Sequence, residues 1–304
     1  MRPTKSLNVN ISEKKRNSSI ETYRIIATIL VLMVHLNGWL ADMPETFSSV
    51  SCFSICQTFI ESLSCICVNC FIIITGWFGL KLKFKHFWTI YSVIVFIYVP
   101  FYLVSCFHAH SFSLDMFLIN FIAIGKESYY IQCYLMLMFL APVLNAFIEK
   151  MGKQIIWFTI SFWLIEIFLD WILNNNCLGF AHGYGITHFI LIYFLGRTAF
   201  IYKNQINDNF KDSRCIILFF LCLLLMAVMY FSGFSKSSSF SYTNPCNVIM
   251  AFSLYFIFEK KTFYNKVINW FSTATLAVHI FHTTPPVITI LKECDIYTLQ
   301  NYPY

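Results

Sequence analysis

Arg24 and His35 lie in the first long apolar run of the sequence, which covers residues 23–39. Their separation of eleven residues is three helical turns, so both side chains share one face about 16 Å apart along the axis. A cation and an imidazole are unfavourable at membrane depth, where such residues usually serve chemistry or transport. A neutral histidine can accept a proton, and an arginine can bind phosphate. The alternative is a snorkelling arginine beside a histidine that packs by hydrogen bonds against a neighbouring helix.

Two further groups of residues could assist such chemistry. His279 and His282 are three residues apart in the last apolar run and therefore share a helical face. The loop after the second apolar run carries alternating lysines, at positions Lys81, Lys83 and Lys85. These lysines can bind the phosphates of a nucleotide or anionic lipid headgroups, or they can be charges that only set the orientation of the chain.

Two carboxylates and two tyrosines are candidates for substrate contact. Glu166 and Asp170 are four residues apart in an apolar stretch, so we expect both on one helical face. Carboxylates in such a helix predict a functional site, in which they bind substrate hydroxyl groups or pair with histidines. Tyr129 and Tyr130 stand at the entry of another apolar run, where the alternative is an interfacial aromatic belt.

No metal centre is expected from the histidines and cysteines. The His182–His188 pair lacks the spacing of helical metal ligands, and no carboxylate stands at a ligand-like distance in the sequence. Most of the 12 cysteines lie inside apolar runs, and the cluster at residues 65–70 is expected to pack at helix contacts. The chain contains no Walker loop, G-x-S-x-G elbow or dinucleotide fingerprint, which gives little support to a hydrolase or an ATPase.

The elements that position these residues must be membrane helices. The chain has 304 residues, is 58% hydrophobic and only 12% charged, and has a mean hydropathy of +0.65. A soluble protein carries about 25% charged residues. We therefore predict an all-α polytopic integral membrane protein, a helical bundle of about nine to ten transmembrane helices. The predicted spans are 23–41, 57–79, 87–107, 128–148, 155–173, 185–202, 215–233, 244–258 and 268–291. The apolar segment 113–124 is too short to span and predicts a re-entrant or surface-lying element.

The distribution of basic residues predicts the orientation. With the N-terminus in the cytoplasm, sixteen lysines and arginines fall on the inner side and only Lys126, Lys236 and Lys292 on the outer side. The positive net charge therefore reflects topology, and no nucleic-acid partner is expected. We divide the chain into a polar cytoplasmic tail, 1–20, and a transmembrane domain, 21–304. Nine spans would put the C-terminus outside.

Several motifs together resemble the integral-membrane acyltransferase family 3, which includes polysaccharide and peptidoglycan O-acetyltransferases. Arg24 and His35 match its R-x10-H signature. Residues 68–77, 128–145, 193–197 and 275–282 are similar to later motifs of the family in the same order. His282 stands at the position of the family histidine, whereas His279 replaces a tyrosine. The resemblance extends over about residues 18–292.

The resemblance implies an O-acyltransferase that moves an acetyl group from cytoplasmic acetyl-CoA to a hydroxyl of a cell-surface polysaccharide or its lipid-linked precursor. The partners would be this glycan acceptor and the lipid bilayer of the bacterial inner membrane; the oligomeric state stays open. Acetyl-CoA would be a co-substrate, with its phosphates held by Arg24, Lys81, Lys83 and Lys85. His35 would deprotonate the acceptor hydroxyl or carry the acetyl group, and His282 would be a second proton carrier. Glu166, Tyr129 and Tyr130 would contact the acceptor.

The chain also departs from the family pattern. Members typically have ten spans with both ends inside, so nine spans would mean that the last helix is missing or truncated. The main alternative function is a transporter or flippase for a glycan or another anionic substrate, with Arg24 and His35 in the pathway. The sequence shows no internal repeat and little Gly or Pro in mid-span, which disfavours it. A glycan polymerase would need a large arginine-rich outer loop, and no loop here has that composition.

Overall fold

A computed structural model describes the backbone of residues 16–39, 42–47, 49–122, 129–175, 178–209, 211–282, 284 and 287. The predicted tail up to residue 15, Lys126, Lys292 and nearly all of the last predicted span beyond His282 lie outside the described residues.

The described part of the chain is helical and contains no β-strand. Its first half consists of α1 (Ser18–Trp39), α2 (Cys52–Ser64), α3 (Cys67–Phe78), α4 (Phe84–Ala109), α5 (Leu114–Ile122), α6 (Tyr129–Met151) and α7 (Ile155–Glu166), which continues as a π-helix over Ile167–Ile172. Its second half consists of α8 (Ile186–Ile201), α9 (Lys203–Asn209), α10 (Asp212–Phe231), α11 (Lys236–Ser239), α12 (Pro245–Glu259), α13 (Lys266–Phe271) and α14 (Thr275–His282).

Five described helical stretches are long and apolar enough to cross a membrane. They are Ser18–Gly38, Cys52–Phe78, Phe84–Phe107, Tyr129–Ile172 and Asp212–Phe231. Ile186–Ile201 and Pro245–Glu259 are apolar but shorter. The multi-pass, all-helical prediction is therefore confirmed, whereas the count of nine to ten spans is not confirmed. The nine residues of α5 extend about 14 Å, too short to cross a bilayer, in agreement with the interpretation of 113–124.

The stretch Tyr129–Ile172 is a helical hairpin that reverses at Gly152. Gly152 has φ +53°, a left-handed conformation that interrupts the helix. The rings of Phe147 and Phe158 lie 5.1 Å apart, although eleven residues of continuous helix would separate them by about 16 Å. The two predicted spans 128–148 and 155–173 are therefore separate helices joined by a turn, and each packs against α8.

The second predicted span differs from expectation because it contains a break. The prediction was one helix over 57–79, whereas α2 begins at Cys52 and ends at Ser64, and α3 begins at Cys67. The Asn247 side chain of α12 donates a hydrogen bond to the carbonyl oxygen of Cys65, 3.1 Å away, and so satisfies a backbone group at the break. Cys65, Cys67 and Cys70 are buried and free, as expected of packing residues.

Two glycines let α3 and α8 pack with their backbones in contact. A Cβ at Gly76 would lie 2.5 Å from the carbonyl oxygen of Tyr193, and a Cβ at Gly196 would lie 2.8 Å from that of Ile73. Small residues permit this close approach in membrane helices. The contact fixes the end of α3 from which the lysine loop emerges.

Helices α1 and α14 lie side by side and run in the same direction. The Ser18 side chain donates a hydrogen bond to Asn269 Oδ1 at 2.9 Å, which joins the start of α1 to α13 just before α14. At the far end, the ring of His35 packs against that of His282. The face of α1 that carries Arg24 and His35 is therefore turned towards α14.

Candidate active site

Arg24 lines two adjoining cavities of about 310 and 390 Å³, which together we call the Arg24 cavity. The residues common to both parts are Arg24, Ile74, Thr75, His86 and Tyr134. The guanidinium is held by Glu21, because Arg24 Nη1 donates to both carboxylate oxygens at 3.0 and 3.1 Å. Glu21 and Arg24 are three residues apart, about one helical turn, and their ion pair orients the arginine towards the space between α1, α3, α4 and α6.

One end of the Arg24 cavity is lined by the lysine loop. Lys81 and Lys83 line it together with Gly79 and His86. Lys85 is exposed and is not among the residues that line the cavity. The structure therefore brings two of the three predicted lysines to Arg24. The three cations outnumber the single carboxylate of Glu21, so this end of the cavity carries a net positive charge that attracts an anion.

The other end of the Arg24 cavity reaches His279 of α14. The Tyr130 ring packs edge-on against the His279 imidazole, with 4.8 Å between centroids. His279 Nδ1 is buried and has no hydrogen-bond partner among the described residues. A polar atom in this state offers a hydrogen bond to a ligand in the cavity. Tyr130, a predicted acceptor contact, thus lies at the His279 end of the cavity.

Three histidines form a chain of ring contacts that leads from the cavity to His35. The centroids of His279 and His282 are 5.6 Å apart, and those of His282 and His35 are 4.9 Å apart. His282 Nδ1 donates to the carbonyl oxygen of Val278 at 3.0 Å, because a carbonyl can only accept. In a neutral His282 ring the acceptor nitrogen is therefore Nε2, so the backbone sets the tautomer. His35 is half-buried beside it.

Glu166 and Asp170 pair with histidines, one of the two roles that their spacing predicted. Glu166 Oε1 lies 2.7 Å from His188 Nδ1, and both side chains are fully buried. Asp170 Oδ2 lies 3.6 Å from His182 Nδ1 and accepts a hydrogen bond from the Thr243 hydroxyl at 2.8 Å. A substrate contact by Glu166 stays a prediction, and the structure places this carboxylate in the packed interior.

The His188 imidazole connects Glu166 to Asn69 of α3. Asn69 Nδ2 donates to the Tyr242 carbonyl oxygen at 2.9 Å, so Asn69 Oδ1 faces His188 Nε2 at 2.8 Å and must accept from it. Nε2 therefore carries a proton, and a further proton lies between Nδ1 and Glu166. This buried chain of hydrogen bonds ties α7 to α8 and α3, and none of its side chains lines the Arg24 cavity.

Tyr129 lies apart from Tyr130, although the two are adjacent in sequence. Its ring packs against Tyr184 at 4.7 Å, in the loop before α8. Neighbouring residues of a helix point in directions about 100° apart, so the two tyrosine side chains lie in different surroundings. Substrate contact by Tyr129 stays a prediction.

Sequence reasoning missed Glu21 as the partner of Arg24, and it missed Thr75, His86 and Tyr134 as residues that line the Arg24 cavity. Glu21 could have been found, because it stands three residues before Arg24 and shares its helical face. The other three belong to α3, α4 and α6, and only the packing of these helices brings them to Arg24.

The comparisons with known proteins agree with this geometry. A family model described as an acyltransferase domain matches residues 17–301. No curated protein and no solved structure matches the chain significantly. The matched region contains Arg24, His35, His279 and His282, and nothing in the comparisons supports a transporter. The chain belongs to the membrane acyltransferase family 3 and is a multi-pass membrane acyltransferase.

Proposed function

We propose that this protein transfers an acetyl group from acetyl-CoA to a hydroxyl of a cell-surface polysaccharide or of its lipid-linked precursor in the bacterial inner membrane. The main support for the proposal is the set of residues that the Arg24 cavity connects. It extends from Arg24, Lys81 and Lys83 to His279, which contacts His282 and through it His35. The cavity thus joins a site for an anion to a group of imidazoles that can move protons.

The donor would enter at the cationic end of the cavity. The phosphates of acetyl-CoA would contact Arg24, Lys81 and Lys83, with Lys85 outside the lining and available only for longer-range attraction. The pantetheine arm is a long, uncharged chain, which suits the apolar and tyrosine-lined space between Ile74, Tyr134 and Tyr130. The predominance of basic residues on one side supports a cytoplasmic position for this end.

The transfer step needs one base for the proton of the acceptor hydroxyl and one leaving group, the thiolate of CoA. The acceptor oxygen forms a bond to the carbonyl carbon of the thioester, while the carbon–sulfur bond breaks and the thiolate of CoA leaves. His35 takes the proton of the acceptor hydroxyl, and that proton returns to the thiolate. In the alternative route His35 itself takes the acetyl group and passes it to the hydroxyl. His282, in ring contact with His35, is positioned to share the proton.

The test is transfer of radiolabelled acetyl from acetyl-CoA to glycan in membranes that contain the wild type or His35→Ala. We expect label in the glycan with the wild type and a loss of about 10²–10⁴-fold with the variant. His110→Asn is the matched control, because His110 is an exposed histidine in a left-handed conformation that asparagine tolerates. Full transfer by a folded His35→Ala protein would overturn the proposed role of His35.

Label transfer that is absent in the wild type, at confirmed expression and with several glycan preparations, would contradict acetyl transfer to glycans. If CoA is then still released from acetyl-CoA without the glycan, the protein binds the acyl donor, and the acceptor is a molecule other than these glycans. If no acyl-CoA is consumed at all, the proposal fails at the donor.

A further inference from the structure

A second polar cavity lies at the opposite end of α1 from Arg24. It has a volume of about 260 Å³, and we call it the Glu61 cavity. Its lining includes Glu45, Glu61, His182, Tyr184, Lys236 and Tyr242. Asn37, which bonds to Glu61, is thirteen residues after Arg24, or about 20 Å along the axis. The two cavities are therefore separated by most of the depth of the bundle.

The Glu61 carboxylate is held in a fixed position in this cavity. It is only 5% exposed, and its Oε2 accepts a hydrogen bond of 2.6 Å from Asn37 Nδ2. Asn37 also donates to the Gln57 carbonyl oxygen, which fixes the amide that holds the carboxylate. A carboxylate so deep in a helical bundle is expensive unless it has partners, and such residues are usually functional.

His182 forms one edge of the Glu61 cavity and is oriented by Asp170. Asp170 Oδ1 accepts from the His182 backbone N–H at 3.2 Å, while Oδ2 lies 3.6 Å from His182 Nδ1. His182 itself has φ +56°, a left-handed conformation that is uncommon for residues other than glycine and in which asparagine, aspartate and histidine are enriched. The next residue, Gly183, has φ +93°, and a Cβ there would lie 2.3 Å from Tyr242 Cβ. His182 and Tyr184 flank this tight turn, and both line the Glu61 cavity.

The charges that line the Glu61 cavity disfavour an anion. Glu45 and Glu61 set two carboxyl groups against the single fixed positive charge of Lys236, so the lining has no surplus of positive charge to attract an anion. The described residues hold no group of three or more possible metal ligands, so nothing here favours a metal ion. Burial raises the pKa of Tyr242 and of Tyr184, so both phenols stay neutral and can donate as well as accept hydrogen bonds.

Carboxylates, imidazole, ammonium and phenol groups around a small space can bond several hydroxyl groups at once. The Tyr184 and Tyr242 rings, 5.2 Å apart, offer apolar faces beside these polar groups. Such a mixture fits a neutral polyhydroxylated ring. We propose that the Glu61 cavity binds a neutral sugar unit of the acceptor, with Glu61 and His182 as its main hydrogen-bonding groups. This inference rests on the proposed transfer of acyl groups to glycans.

The position of Asn37 relates this cavity to His35. The two residues are about 3 Å apart along the α1 axis but about 200° apart around it. His35 faces His282, and Asn37 faces Glu61. The sugar in the Glu61 cavity is therefore at the depth of His35 but on the other side of α1. It belongs to the same acceptor chain as the sugar unit that is acylated but is a different unit of it, and its binding energy holds the acceptor in place.

The test is binding of neutral methyl glycosides of glucose, galactose and N-acetylglucosamine, measured by saturation-transfer NMR on the full chain in lipid nanodiscs. Methyl glucuronide is the anionic comparison. We expect a signal from at least one neutral glycoside, a weaker signal from the glucuronide, and a loss of about fivefold or more in Glu61→Gln and in His182→Asn. Asparagine tolerates the left-handed conformation at 182. Lys261→Met, an exposed change far from the cavity, should bind as the wild type does.

No signal from any neutral glycoside, or equal signals in the wild type and both variants, would overturn the site. The two variants alter a helix and a loop, so a folding defect in one leaves the other informative. The measurement uses no acyl donor. Sugar binding through Glu61 and His182 in a protein that transfers no acetyl group would therefore overturn the proposed function alone, and transfer without sugar binding would overturn the site alone.

Discussion

The imidazole rings of His35 and His282 lie 4.9 Å apart at an angle of 51°, although the two residues come from opposite ends of the chain. The contact is possible because α1 and α14 run in the same direction, and a hydrogen bond from Ser18 to Asn269 of α13 joins the two segments at their starts. His282 is held by the Val278 carbonyl oxygen, whereas His35 faces it from the neighbouring helix. Two histidines in such contact can exchange or share a proton during a reaction.

The effects of replacing His35 and His282 should not add. If the two rings act as one unit, removing either loses most of the catalytic benefit, and removing both loses little more. We expect His282→Gln to lower kcat about 10²–10³-fold, and the double variant His35→Ala/His282→Gln to equal His35→Ala within a few fold. Rates of acetyl transfer at saturating donor measure this. Losses that multiply in the double variant would mean independent roles.

Arg24 should act on the donor phosphates alone. Arg24→Gln removes a charge-assisted contact, so we expect the KM for acetyl-CoA to rise about tenfold or more. S-acetylpantetheine has no phosphate, and its KM should be the same in wild type and variant. Steady-state kinetics with both donors make the comparison. Equal increases with the two donors would show that Arg24 shapes the cavity rather than binding phosphate.

The lysine loop offers a matched pair for the same question. Lys83 lines the Arg24 cavity and Lys85 does not, although both are exposed and two residues apart. We expect Lys83→Met to raise the KM for acetyl-CoA severalfold and Lys85→Met to raise it less, because a more distant charge is screened by salt. Lys261→Met is the control for loss of a surface charge. The order should be visible at low ionic strength and shrink as salt is added.

The sequence predicted those parts of the site that lie on one helix, and not those that depend on packing. The spacing of Arg24 and His35 placed them on one face of α1, and that face is turned towards α14. Their partners on α3, α4 and α6 are distant in sequence, and helix periodicity does not say which faces meet. The break at residues 65–66 was missed for the same reason, because Asn247 of another helix satisfies the carbonyl group of Cys65.

Glu166 illustrates the same limit in the carboxylate pair. Its spacing from Asp170 predicted a shared face, and both side chains are indeed buried. The sequence left open whether they bind hydroxyl groups or pair with histidines. The choice depends on the approach of α8, which carries His188, and of the loop that carries His182. The packed structure shows which histidine each carboxylate meets, and substrate contact by Glu166 stays a prediction.

Glu166 should contribute to stability more than to substrate contact. Glu166→Ala leaves His188 without one partner and opens a void, so we expect a loss of about 2–5 kcal/mol in the free energy of unfolding. Glu166→Gln should cost less, because its amide can donate to Nδ1 of a neutral His188 while Nε2 still donates to Asn69. Thermal unfolding in detergent ranks the variants. Unchanged stability with lost transfer in both would instead support the predicted substrate contact.

The contact between Gly76 and Gly196 should tolerate no side chain. A Cβ at Gly196 would lie 2.8 Å from the Ile73 carbonyl oxygen, so Gly196→Ala must push α8 away from α3. We expect a loss of about 1–3 kcal/mol and a rise in the KM for acetyl-CoA, because α3 ends at the lysine loop. Gly38→Ala is the matched control: it is also in a helix, and its nearest neighbour is the flexible end of Lys236, 4.0 Å away. Equal unfolding temperatures for the two variants would show that α3 and α8 are not held together by close backbone packing.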